Sequence, residues 1–353
     1  MRLVWKCAGL ALVAALGAAG ASGQTQEQGI SIGETTAQRW TFEDAQAMAA
    51  KGRLDQAMNV LDQLAAQTPT PAGVQRLRGM IFYQKDELPQ AADAFQKAIA
   101  QDANDLGSTE MEGVTLFRLG RPQDALPYLE KAHTAVQNAN IDPQYVLGLC
   151  YSDVARYDDA RHAFAAQYGF PPDSPQAYLL AARLFLRREL RDQATAQARK
   201  ALELDPKLPL AHQLLGEAAL ARGDVQSAIQ ELEAERTINP LNGELYDRLG
   251  DAYLRAGQYD QAQQSLNRAV LLEPTATGPY ILLGETFLKL KDPIQALHYL
   301  ARAVQMDPSN YITHNLLGQA YKATGDLGAA NREFKLVVEL QQPRLGAVRQ
   351  LGM

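Results

Sequence analysis

From Pro206 onwards, small and apolar residues return at a fixed step of 34. Leu215-Gly216, Leu249-Gly250, Leu283-Gly284 and Leu317-Gly318 keep that step, as do Ala228, Ala262, Ala296 and Ala330. Pro206, Pro240, Pro274 and Pro308 follow it too. A period of this length marks a solenoid built from one repeated supersecondary unit.

Within the unit Gly243 to Ala276, the residues Tyr246, Leu249 and Tyr253 hold positions 4, 7 and 11, which share one face of a helix. Gly250, at position 8, lies on the same face. Glycine weakens a helix interior by about 1 kcal/mol relative to alanine. Its regular return there predicts that a second helix passes close by. Gly257 is expected to end the first helix in a left-handed cap. Ala262, Leu266 and Ala269, at positions 20, 24 and 27, predict the second helix, and Pro274 at position 32 its stop. One such hairpin buries too little apolar surface to fold alone, so it must stack on its neighbours. No two-residue alternation bounded by turns is sustained, so no strand is predicted.

These positions resemble the tetratricopeptide repeat family, whose preferred residues at 4, 7, 8, 11, 20, 24, 27 and 32 are matched over the four units from Pro209 to Arg344. Carried backwards, the register gives nine units from Gln38 to Arg344. Ala45 and Ala182 stand where position 8 calls for glycine, the third unit is longer than the others by one residue, and Pro343 comes one place late. The resemblance implies an all-α, right-handed α-solenoid of stacked helical hairpins, with a tetratricopeptide repeat domain over 38–344 and a short tail over 345–353.

The segment before the repeats reads differently. Arg2 and Lys6 precede an uncharged apolar run, Ala8 to Ala19, followed by the small residues Ala19-Gly20-Ala21. This pattern predicts a signal peptide over 1–21 and a polar, flexible tether over 22–37. The run is shorter than the ~20 residues that span a bilayer comfortably; left uncut, it would be the chain's one attachment to a membrane. Loss of Arg2 and Lys6 takes the formal charge from −6 to −8, a sign that argues against nucleic acid and anionic lipid as partners. Cys150 would be the one cysteine left, so no internal disulfide is expected. A periplasmic or secreted location follows from this reading.

The chain offers no catalytic or metal-binding motif: no His-Glu-x-x-His, phosphate loop, serine elbow or Cys-x-x-Cys. No enzyme activity, cofactor or metal is expected. His212 and His314, at position 4, are expected to pack between helices.

In the resembled family, positions 2, 5, 9 and 12 of each first helix line a concave groove that holds peptides. Here they supply Arg76, Met80, Tyr83, Phe117, Tyr145 and Leu149 in units two to four, an apolar and aromatic set that either lines the groove or completes the core between repeats. Later units supply Glu217, Asp247, Asp251, Glu285 and Gln319, bordered by Arg183, Arg187 and Arg255. The expectation is a protein or peptide partner with an apolar anchor and a basic segment. The family's clamp for chaperone tails needs lysine at 5 and asparagine at 9, a set absent here. The function implied is an exported protein-interaction scaffold in bacterial envelope assembly or secretion. The alternatives are a polysaccharide or cell-wall binding module using the groove aromatics, a eukaryotic secretory chaperone helper and, last, an enzyme. The apolar residues of the last helix, Phe334, Val337, Val338 and Leu340, are read either as covered by the tail or as a surface for self-association.

Overall fold

The computed structural model describes residues 40–135 and 144–350. The expected signal segment and tether lie outside them. The described residues form eighteen helices in nine hairpins and no strand. The chain divides between Gln167 and Tyr168 into two compact units, each a short α-solenoid of stacked hairpins.

In the first unit the pairs are α1 (Phe42–Ala50) with α2 (Leu54–Ala65), α3 (Val74–Gln84) with α4 (Leu88–Gln101), α5 (Leu106–Arg118) with α6 (Pro122–Ala135), and α7 (Gln144–Asp153) with α8 (Tyr157–Gln167). In the second they are α9 (Pro175–Arg187) with α10 (Arg191–Leu204), α11 (Ala211–Arg222) with α12 (Val225–Ile238), α13 (Gly243–Arg255) with α14 (Tyr259–Leu272), α15 (Thr277–Lys289) with α16 (Pro293–Met306), and α17 (Tyr311–Thr324) with α18 (Leu327–Gln350).

Local chemistry starts these helices where they start. Asp105, Ser174, Asn242 and Asn310 each accept a backbone N–H of the first turn they precede, filling donors that a helix start leaves empty. Pro175 and Pro293 open α9 and α16, where the missing N–H costs nothing. Between the two helices of every hairpin, the residue at position 15 has a positive φ of 61° to 89°. Five of these are glycines; Asp86, Ala155, Glu189 and Lys291 hold the same conformation without being glycine.

The close crossing expected at position 8 is present. A methyl group added at Gly79, Gly113, Gly148, Gly216, Gly250, Gly284 or Gly318 would come within 2.6 Å of the side chain at position 24 of the same hairpin. Those partners are Phe95, Leu129, Phe164, Leu232, Leu266, Leu300 and Phe334. All but Phe334 are fully buried, each contributing roughly 1.5–3 kcal/mol of hydrophobic stabilisation. Repeat five, which has Ala182 at position 8, carries Ala198 at position 24, and both lie in one core cluster. The departure is therefore compensated: alanine on alanine replaces glycine on leucine. Position 4 joins successive repeats. The Tyr246 and Tyr280 hydroxyls donate to the carbonyls of Pro240 and Pro274, each at 3.2 Å, and His314 Nε2 sits 3.0 Å from the Pro308 carbonyl. His314 is 5 % exposed.

The last helix departs from expectation. It continues through Pro343 to Gln350, past the boundary placed at Arg344. Among the described residues no helix is long and apolar enough to cross a membrane.

Candidate functional site

Three successive first helices of the second unit, α9, α11 and α13, border a cleft of about 520 Å³. Its floor is aliphatic: Leu179, Leu180 and Leu186 from α9, Leu210 and Leu214 at the start of α11. Phe170, 37 % exposed, stands at the edge. Polar groups ring the floor: Gln176, Arg183 and Arg187 on one side, Gln213, Glu217, Glu244 and Arg248 on the other. These fall at positions 2, 5, 6, 9 and 12–13 of their repeats, the face of each first helix turned away from the hairpin crossing.

The polar groups differ in how far they are already satisfied. Asn242 donates to Gln213 at 2.7 Å, Gln213 donates to Glu217 at 3.0 Å, and Arg248 donates to both Glu217 and Glu244 at 3.4 Å. This network runs from repeat six into repeat seven and offsets part of the acids' charge, one guanidinium serving two carboxylates. Arg183 and Arg187 sit one helical turn apart on α9, both exposed, and among the described residues neither has an ion-pair or hydrogen-bond partner.

One turn in the cleft wall is held in an uncommon conformation. Leu210, which lines the cleft, has φ +72°, a left-handed backbone that costs a non-glycine residue about 1–2 kcal/mol. Its N–H donates to Glu235 Oε1 at 2.7 Å. Glu235 is fully buried in α12, at position 27, where Ala98, Ala132, Ala201, Ala269 and Ala303 stand in other repeats. A carboxylate in an alanine position is the sequence signal for this anchor, one that periodicity alone does not single out.

Of the residues expected in the groove, Arg183, Arg187 and Glu217 line the cleft. Asp247 lies beside it, half-buried, with Oδ1 lacking a partner among the described residues. Burial pushes its carboxyl up to about 6; Asp251, Glu244 and Glu273 add to the effect and Arg248 opposes it. Asp251 is paired with Arg255 at 2.8 Å. Glu285, half-buried, and Gln319, exposed, lie further along the unit, outside the cleft. Of the acids expected to meet a basic segment, Glu217 and Asp251 already hold arginines of this chain and, among the described residues, Asp247 and Glu285 do not; the unpaired charges that line the cleft itself are Arg183 and Arg187.

In the first unit, Arg76 reaches the capping carboxylate Asp105 at 3.2 Å. The Arg118 guanidinium lies 4.6 Å over the Tyr83 ring, and burial pushes the Tyr83 phenol up. Tyr145 packs 5.9 Å from Phe164. Met80 and Phe117 are half-buried. Leu149, expected on the free face, is 8 % exposed and belongs to the core. An apolar side chain at that position gains more by packing inward than by facing water. Tyr83 and Tyr145 thus lean on neighbours of this chain. Among the described residues, no group of three histidine, cysteine, aspartate or glutamate side chains could hold a metal ion.

Comparison with known proteins follows the same lines. Family models described as tetratricopeptide repeat match residues 42–105, 179–242, 219–280 and 281–341. No curated protein sequence matches the chain. Among solved structures, MamA (41-end) from Desulfovibrio magneticus RS-1 is 23 % identical, covering 48 % of this chain and 97 % of its own, with a TM-score of 0.46. YrrB, described as a TPR protein with an unusual peptide-binding site, is 21 % identical over 55 % of this chain and 100 % of its own, TM-score 0.46. The Cut9–Hcn1 hetero-tetramer of the APC/C is 15 % identical over 86 % of this chain and 62 % of its own, TM-score 0.48.

Proposed function

The chain belongs to the tetratricopeptide repeat family, and on that footing we propose that it is a protein-interaction scaffold whose second unit takes up a polypeptide along α9, α11 and α13. The observation that carries this reading is the cleft itself, with an aliphatic floor, a polar rim and open charged groups. That is the make-up of a site that anchors one apolar side chain and orients the rest by polar contacts.

The chain works outside the cytoplasm, in envelope assembly or secretion. Support for this comes from the N-terminal sequence alone: Arg2, Lys6 and the apolar run Ala8 to Ala19. The exported form starts near Ser22. A second copy meets the chain through the last repeat, where Leu327, Leu336 and Val338 are 61 %, 38 % and 56 % exposed.

Photo-crosslinking in cells tests the scaffold reading. A photoreactive residue at Gln176, exposed on the cleft rim, captures a specific protein, and one at Gln264, exposed on α14, does not. Equal capture at both places, or none at Gln176, would set the cleft aside. Cell fractionation with intact-mass measurement tests export; a full-length chain in the cytoplasm would refute it.

A further inference from the structure

We propose that the partner segment bound in this cleft is acidic: an extended peptide that seats an aliphatic or aromatic side chain on the leucine floor and lays carboxylates against Arg183 and Arg187. The inference rests on the scaffold reading and adds to it the charge of the ligand.

Glu217 and Glu244 share Arg248, so the far wall keeps one negative charge against the two positive charges of the near wall. Asp251 is closed off by Arg255. On the near wall, Arg183 and Arg187 are at helix positions i and i+4, where like charges repel. No acid of the described residues pairs with either of them. Two guanidinium groups on one exposed face, separated by a single turn, present forked donors in the geometry that carboxylates accept. An incoming anion between them relieves the repulsion and is met by the low-dielectric leucine wall beside it, where charge–charge attraction is stronger than in open water. A cationic segment would meet two unpaired guanidinium groups on the near wall, against the single uncompensated carboxylate of the far wall. The leucines add the second requirement, since an acid alone leaves the floor exposed to water.

Selection of a randomised 12-residue peptide display library on the full chain tests this. The enriched peptides are expected to carry aspartate or glutamate within a few residues of a leucine, isoleucine or phenylalanine. On the double variant Arg183→Glu/Arg187→Glu the acidic enrichment is expected to disappear or turn basic. An enriched acidic peptide should bind Arg183→Gln/Arg187→Gln at least tenfold more weakly than wild type. Both arginines are exposed, so an unchanged melting curve and helical content show that the variants remain folded. Enrichment of basic or uncharged peptides on the wild type overturns the acidic-ligand proposal and leaves the scaffold reading standing. The same holds if wild type and the charge-reversed variant select identical sets. Failure to enrich any peptide overturns both.

Discussion

Position 15 shows what one residue can cost a repeat. Lys291 holds φ +63° in a turn that other hairpins give to glycine, and the glycines there have nothing within 4 Å of an added Cβ. The cost at Lys291 is therefore conformational and not one of crowding. Lys291→Gly is expected to stabilise the chain by about 0.5–1 kcal/mol, the left-handed penalty less the extra entropy that glycine loses on folding. A denaturation midpoint that falls would refute this. The glycine at position 8 works the other way. Gly250→Ala forces Leu266 aside and should cost about 1–3 kcal/mol. In Gly250→Ala/Leu266→Ala the two losses should sum to less than their separate values, because the pair then matches Ala182 and Ala198; a double-mutant cycle measures that coupling. Asp247 gives a pH signature. Its folded carboxyl titrates near 6, above its ordinary range, chiefly through burial. The associated stability is complete below the ordinary aspartate range and is lost as pH rises through about 6. Asp247→Asn should therefore raise the melting temperature at pH 7.5 and raise it less at pH 4.5. The glycine steps were plain in the sequence because they recur. The Ala182–Ala198 pair was visible as two alanines, but its meaning needed the contact.

At the scale of the element, the hairpins and their order were legible, since the 34-residue register and the caps act locally. The candidate site was legible in part. Register placed Arg183, Arg187 and Glu217 on the face that borders the cleft. It could not say that Glu217 would draw Arg248 from the next hairpin, because that depends on how position 6 of one repeat meets position 9 of the one before. Nor could it show that Leu149 turns inward. The turn between α10 and α11 is the clearest case of a tertiary anchor overriding a local pattern. Glu235→Ala restores the alanine common at that position but leaves the Leu210 N–H without an acceptor, at a cost of about 1–3 kcal/mol. Glu235→Gln, which keeps an acceptor oxygen, should cost less. Amide exchange at Leu210 should speed up in the alanine variant; unchanged exchange would show that the turn does not depend on this bond.

Within each of the two units, the described helices pack on those adjacent or next-but-one in the chain. Stability is then close to a sum of repeat and neighbour-interface contributions. Local damage should stay local. Gly284→Leu, in repeat eight, is expected to lower hydrogen-exchange protection in repeats seven to nine while repeats one to three keep theirs. Uniform loss along the chain would contradict that picture.

The sharing of Arg248 between Glu217 and Glu244 bears on how such an array can be rearranged. Repeat six borrows its counter-ion from repeat seven, whereas repeat eight would offer Leu282 at the same place. Excising or shuffling repeat seven would bare a carboxylate and change what the cleft attracts. Units that look interchangeable by length are thus not exchangeable cassettes here, and any graft intended to transplant the recognition surface must carry repeats five, six and seven together.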